Sequence, residues 1–251
     1  MTFRQSRHGP VALITIDRPA ARNALTLDAI DELADLVRAT GEDDTVRGLA
    51  LTGNGAFCSG ADLKSIAALG AEGPDGIKDS IELGPQRLIR ALLAVPFPTV
   101  AALDGPAIGL GMDIALACDS RLLSARGWLL QGWGRVGLIP GAGGELLLRR
   151  HNPAILWRLL EEQRPVDGPQ AERWQLGEAV PEGTAVDAAL RRLTTLAELP
   201  RTALATYATL HRSGLARQLD EHLEVCARTQ VPLLTDARFA ARVAEVVGTA
   251  P

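Results

Sequence analysis

An α/β fold with an all-helical C-terminal part is predicted, and three observations predict it. Short β-branched and apolar runs alternate with helical patterns over roughly residues 11–150, and glycine-rich turns join them, which is how βαβ units read. From about Asn152 the strand-like runs cease and helical spacing punctuated by Pro153, Pro165, Pro169, Pro200 and Pro232 takes over. The composition is globular: 251 residues, 47% hydrophobic and 22% charged. Aromatics are only 4%, so the core must be mostly Ala, Leu, Val and Ile.

The elements follow in order. The N-terminal stretch MTFRQSRHGPVALITID reads as a strand pair turning at His8-Gly9-Pro10, not as a signal peptide. Thr26 caps a helix in which Leu27, Ile30, Leu33, Ala34 and Val37 share a face, and Gly41 stops it. Residues 48–52 form a short apolar run of the kind buried in parallel sheets. Residues 65–76, with Gly70, Gly73, Pro74 and Gly76, read as a mobile loop before a helix over roughly 77–94. Residues 98–103 form the next buried strand, Asp104-Gly105 turns it, and a helix begins near Leu110. Another strand spans 120–124. The tight turn 139–144 leads into a helix carrying Leu146 to Leu148, and His151 ends it, where a partial positive charge is favourable.

Several function classes fall away. The net charge is −4 and the pI about 5.6, with no basic block, so nucleic acid is not the expected partner. No stretch approaches the roughly 18 apolar residues a membrane helix needs. Cys58, Cys118 and Cys226 are odd in number and far apart; they read as free thiols of a cytoplasmic protein, with no metal spacing.

Two segments carry chemistry. CSGADLK (58–64) and AIGLGMD (107–113) each follow a strand, and the second opens a helix. Small residues let the backbone approach a ligand, and a helix start leaves N–H groups unpaired and partially positive. Two such N–H groups on one oxygen make an oxyanion hole. Competing motifs are incomplete. Gly109-Leu-Gly111 lacks the third glycine of a dinucleotide fingerprint, since Ile114 stands there. There is no Walker-type lysine motif and no Gly-x-Ser-x-Gly elbow.

Taken together, LTGNGAFCSGADLK (51–64), PTVAALDGPAIGLGMDIALACD (98–119), RPAARNAL (18–25) and VGLIPGAGG (136–144) resemble the enoyl-CoA hydratase/isomerase (crotonase) superfamily, in order and over roughly residues 10–180. The resemblance implies a ClpP-like spiral of ββα units as a core (1–180), with a helical trimerisation part (181–251), assembled as a homotrimer or dimer of trimers. It implies an acyl-CoA substrate, with coenzyme A as part of that substrate and no separate cofactor or metal. The backbone N–H groups of Ala61 and Leu110 would form the oxyanion hole. Arg22, Ser59, Asp62, Leu63 and Lys64 would lie on the CoA side. Arg22 and Lys64 suit phosphate by charge, or are solvated; Asp62 could equally cap the helix that follows it.

Hydratases of this family place glutamates at two positions to orient water and move protons. The first matches Asp113, an aspartate also found in an isomerase branch acting on dienoyl thioesters; a first-turn acid favouring the helix dipole is the plainer reading. The second matches Trp133, which offers one N–H donor and no acid or base; it could wall the acyl pocket. A dehalogenase branch carries tryptophan there but needs an aspartate at Gly141. Efficient hydration is therefore not expected. The remaining options are a double-bond shift, decarboxylation, thioester or carbon–carbon hydrolysis, or an acyl-CoA-binding protein without catalysis. The segment 236–242 (DARFAAR) departs from the family's C-terminal CoA-pocket pattern, which leaves a carrier-protein thioester as an alternative to CoA.

Overall fold

The computed structural model describes residues 2–180 and 184–248, and the side chains of 216 and 246–248 are outside the described set. In chain order the elements are β1 (Phe3–His8), β2 (Val11–Ile16), α1 (Leu27–Glu42), β3 (Gly48–Gly53), α2 (Leu63–Ala68), α3 (Gly73–Ile81), α4 (Arg87–Ala94), β4 (Thr99–Leu103), β5 (Pro106–Ile108), α5 (Leu110–Ala117), β6 (Ser120–Leu123), β7 (Trp128–Leu130), α6 (Gly144–His151), α7 (Ile155–Glu162), β8 (Val166–Asp167), α8 (Gly168–Arg173), β9 (Glu178–Ala179), α9 (Ala185–Leu196), α10 (Arg201–Leu234) and α11 (Ala237–Gly248).

A six-stranded sheet runs β1-β2-β3-β4-β6-β9, and a smaller one runs β5-β7-β8. In the large sheet only the β1–β2 hairpin is antiparallel; β2 to β9 pair in parallel. Parallel strands are buried on both faces, and β3 and β4 show it: Leu49–Leu51 and Val100–Leu103 are at most 1% exposed. Two turns of the spiral leave the large sheet, cross to the small one and continue as a helix. β4 passes through Asp104-Gly105 into β5 and then α5, and β6 passes through β7 towards α6. The passage after β4 requires glycine: a Cβ on Gly105 would lie 2.1 Å from the Gly55 carbonyl oxygen. These are the ββα units that the resemblance implied.

Helix α1 starts where predicted, with Thr26 Oγ1 accepting from the Ala29 N–H, and its buried face is Ala29, Ile30, Leu33, Ala34 and Val37. The expected loop at 65–76 is not one. Residues 63–94 are helical almost throughout, in α2, a 3-10 turn, α3, a π-type segment at Glu82–Gln86 and α4, with one break at Glu72–Gly73, where Gly73 takes a φ of +75°. Ile66, Leu69, Ile77 and Ile81 are buried, and this packing overrides the low helix propensity of the glycines and Pro74. The expectation of helices only after Asn152 is also corrected. β8 pairs antiparallel with β7, and β9 adds a last parallel strand beside β6. Strands this short carry no alternating pattern to read.

Residues beyond 180 complete the core. Ala185, Ala189 and Leu193 of α9 cover one face of the large sheet, against Val11, Leu13, Ala50, Val100, Ala102 and Leu122. Leu215, Leu219, Leu223, Ala227 and Leu234 of α10 enter the main core on the other side. A buried hub ties α10 down: Arg212 pairs with Asp119, just beyond α5, and donates to the carbonyls of Val95 and Phe97. Burial opposes charge on Asp119, but this guanidinium and Thr99 hold its carboxyl below the usual range.

Candidate active site

Two strand-to-helix turns meet at one cavity of about 700 Å3. The first is Cys58–Leu63. Cys58 bridges Ala107 of β5 in parallel fashion, its N–H donating to the Pro106 carbonyl (3.1 Å) and its carbonyl accepting from the Ile108 N–H (2.9 Å). The chain then turns at Gly60, whose φ of +103° is left-handed backbone that favours glycine. The second turn is Ile108–Leu110, with φ of +55° at Gly109. Its Gly109 N–H is held by the Leu130 carbonyl (2.9 Å). The two turns touch: a Cβ on Gly60 would lie 3.6 Å from the Leu110 nitrogen, and one on Gly111 would lie 2.1 Å from the Cys58 carbonyl oxygen.

The result is a pair of unused donors. The bonds around the first turn run through the neighbours of Ala61: Leu25 donates to the Gly60 carbonyl and Asp62 donates to the Leu25 carbonyl. The Ala61 N–H makes no hydrogen bond among the described residues. Nor does that of Leu110, the first residue of α5, where the helix supplies no acceptor. Both residues line the cavity. Two unpaired N–H groups, one at a helix N-terminus, are suited to hold a developing negative charge on oxygen.

The cavity is also lined by Ala20, Ala21, Arg22, Ser59, Asp62, Leu63 and Lys64 and by Ile108, Leu130, Gly132, Trp133, Arg135 and Val136. Every CoA-side residue read from the sequence therefore lies on it. Arg22 adopts φ +50°, with its carbonyl accepting from the Ser59 N–H (3.1 Å), so the 18–25 segment is fastened to the first turn. Asp62 is the N-cap of α2, its Oδ1 accepting from the N–H groups of Lys64 (3.0 Å) and Ser65 (3.1 Å). That is the capping role weighed for it.

Asp113 and Trp133 are brought together, but differently from each other. Trp133 lines the cavity and Asp113 does not. The indole Nε1–H donates to Asp113 Oδ2 at 3.0 Å, and the carboxylate lies behind it, 3% exposed. Burial pushes the Asp113 carboxyl up to about 7, with the indole hydrogen bond pulling the other way. Asp113 fits where it does because residue 144 is glycine: a Cβ there would sit 2.0 Å from Oδ1.

Sequence reasoning missed Arg135, and the two glutamines that fix the turn before α6. Gln86 Nε2 donates to the carbonyls of Gly141 (3.0 Å) and Leu223 (2.8 Å), and Gln230 Oε1 accepts from the Ile139 N–H (3.2 Å). No local pattern marks glutamines whose partners lie more than fifty residues away. The thiol of Cys58, beneath the first turn, is pushed up to about 12 by burial and is no nucleophile. His151 is corrected: burial and the neighbouring Arg121 and Arg150 push it down to about 3, so the ring is neutral, not a cation at the helix end. Among the described residues no group of three His, Cys, Asp or Glu could hold a metal ion, and no helix is long and apolar enough to cross a membrane.

The enoyl-CoA hydratase/isomerase family model matches residues 6–240. The chain belongs to that family. A "Probable enoyl-CoA hydratase" of Rhodobacter capsulatus is 35% identical over 244 residues, spanning 95% of this chain and 91% of its own length. The "Probable enoyl-CoA hydratase EchA14" of Mycobacterium tuberculosis is also 35% identical, over 93% of each chain. Among solved structures, an enoyl-CoA hydratase from Mycobacterium avium subsp. paratuberculosis superposes with a TM-score of 0.84 at 27% identity, covering 97% of this chain and 98% of that one. An enoyl-CoA hydratase from Bacillus halodurans, at 21% identity and a TM-score of 0.89 over 98% of this chain, shows the same fold.

Proposed function

We propose that the protein binds an acyl-CoA thioester and stabilises its enolate at the N–H groups of Ala61 and Leu110. The observation that carries this reading is the pair of unpartnered donors, one from each turn, lining the same cavity. The thioester carbonyl oxygen would accept from both, and charge developing on it as the enolate forms would be held in a site of low dielectric, where such donors act most strongly. Arg22 and Lys64 supply positive charge on the side assigned to the phosphates of CoA. Coenzyme A enters as part of the substrate, and no separate cofactor is required.

Addition of water is not the reaction proposed. Trp133 occupies the cavity wall where a second acid would stand, and it covers Asp113. The carboxylate that does line the cavity, Asp62, is committed to capping α2. Among the reactions left open, decarboxylation asks least of the protein, because loss of CO2 itself leaves the enolate electrons on the thioester oxygen; a double-bond shift, or hydrolysis of a thioester or carbon–carbon bond, would have to move its protons through water or the substrate. The same lack of an exposed acid or base favours a second reading, an acyl-CoA-binding protein without turnover.

The test is to offer the purified protein crotonyl-CoA, a 3-enoyl-CoA and malonyl-type thioesters, following products and binding together, with Gly111→Val alongside. Turnover of one thioester names the reaction; tight binding without turnover selects the second reading. Gly111→Val would force a side chain against the Cys58 carbonyl and separate the two turns, so acyl-CoA binding should fall sharply in a protein that still folds. Unchanged binding would place the ligand elsewhere.

A further inference from the structure

Asp113 is a buried titratable side chain that the cavity does not reach, so its use must be sought in what it touches. On one side its Oδ1 fills the space that Gly144 leaves open. Gly144 opens α6, and the turn before it is fixed by Gln86 and Gln230. On the other side Oδ2 accepts from the indole N–H of Trp133. The carboxylate is thus wedged between a fixed turn and a cavity-lining ring. Beyond the ring lies Gly109: three indole carbons come within 3.7–3.9 Å of where a Gly109 Cβ would stand. Gly109 immediately precedes Leu110. Contacts therefore run without a break from the start of α6, through Asp113 and Trp133, to the second turn of the cavity.

We propose that Asp113 is a positioning residue: acting through Trp133, it holds the indole flat against Gly109, and so holds the Leu110 N–H in the oxyanion hole and the ring face as the wall for the acyl group. This rests on the reading of Ala61 and Leu110 as that hole. The role asks of Asp113 a hydrogen-bond acceptor at a fixed place, not a proton delivered to substrate. A tryptophan has few rotatable bonds, so one buried bond to its N–H and a glycine beneath its face are enough to fix it.

The experiment reads the hole without requiring turnover. Acetoacetyl-CoA exists partly as an enolate that absorbs in the near ultraviolet, and an oxyanion hole raises the bound enolate fraction. Wild type, Trp133→Phe, Asp113→Ala, Asp113→Asn and the Trp133→Phe/Asp113→Ala double variant are titrated with it, each first checked for native circular dichroism. Trp133→Phe and Asp113→Ala should each weaken enolate binding roughly tenfold or more, as loss of a hydrogen bond to a charged group does. The double variant should be no worse than the singles, because both remove one contact. Asp113→Asn, whose amide oxygen still accepts from the indole, should recover most of what Asp113→Ala loses. Additive losses, or an undiminished band in Asp113→Ala, would overturn the positioning role. So would an Asp113→Asn variant that keeps the band and has lost turnover, since that is the behaviour of a proton-transfer group. If wild type itself produces no band, the oxyanion hole fails and this role falls with it; a wild-type band with an indifferent Asp113 sinks the role alone.

Discussion

At the scale of single residues, titrations report how each buried group is held. His151 shows this away from the cavity. Its folded form resists protonation down to about pH 3, whereas an unfolded chain takes the proton near the ordinary imidazole value of 6.5. Below that value the unfolded state binds more protons, so stability is lost as pH falls from about 6.5 towards 3. Asp113 has the opposite sign. Its carboxyl, raised from 3.8 to about 7, makes the folded state bind more protons in that window, so its contribution falls as pH rises through it. Urea midpoints at pH 7.5 and 5 should show His151→Gln losing less stability on acidification than wild type. Equal losses would mean that the folded protein protonates His151 freely. Neither shift was legible in the sequence. The pattern marked Asp113 and Trp133 individually, but not that an indole N–H spans the twenty positions between them, nor that His151 is buried with Arg121, thirty positions away, beside it.

At the scale of elements, the strands and turns of the site were legible because their requirements are local. A run such as 100–103 must be apolar to lie inside a parallel sheet, and Gly60, Gly105, Gly109 and Gly111 stand where a side chain would strike backbone or distort it. Residues 65–76 were not legible, because there tertiary packing of Ile66 and Leu69 decides against local propensity. One residue of the 18–25 motif joins elements in a way that can be measured. Asn23 is fully buried in left-handed backbone (φ +59°); its Oδ1 accepts from the Arg18 N–H (2.7 Å) and its Nδ2 donates to the carbonyls of Asn54 (3.2 Å) and Ala56 (2.5 Å). It therefore fastens the 18–25 segment to the loop leading into the first turn of the cavity. Asn23→Ala leaves those backbone groups unpaired and puts alanine in left-handed backbone that asparagine tolerates better, for a cost of about 1–3 kcal/mol. Thermal unfolding should move down accordingly, and acyl-CoA affinity should fall with it. An unshifted midpoint would mean that water replaces all three bonds without loss.

At the scale of the whole molecule, the division into a 1–180 core and a helical remainder describes the order of elements along the chain, while packing runs across it. The large sheet has one face covered by α9, and α10 supplies leucines to the main core and Arg212 to the hub at Asp119. Leu193, Leu215, Leu219 and Leu223 are each at most 7% exposed. Burial of a leucine contributes roughly 1.5–3 kcal/mol, so these four side chains together match the 5–15 kcal/mol that typically separates a folded domain from its unfolded chain. Removing them also uncovers Val11, Leu13, Val100 and Leu122 as a continuous apolar sheet face, a surface that associates in water. The two parts should therefore fold as one unit. Calorimetry of the full chain should show a single transition, and residues 1–180 expressed alone should give no cooperative transition and should aggregate. A soluble 1–180 fragment that melts sharply would show that the sheet and its turns hold together without the helices, and that α9 and α10 serve assembly or the substrate site instead.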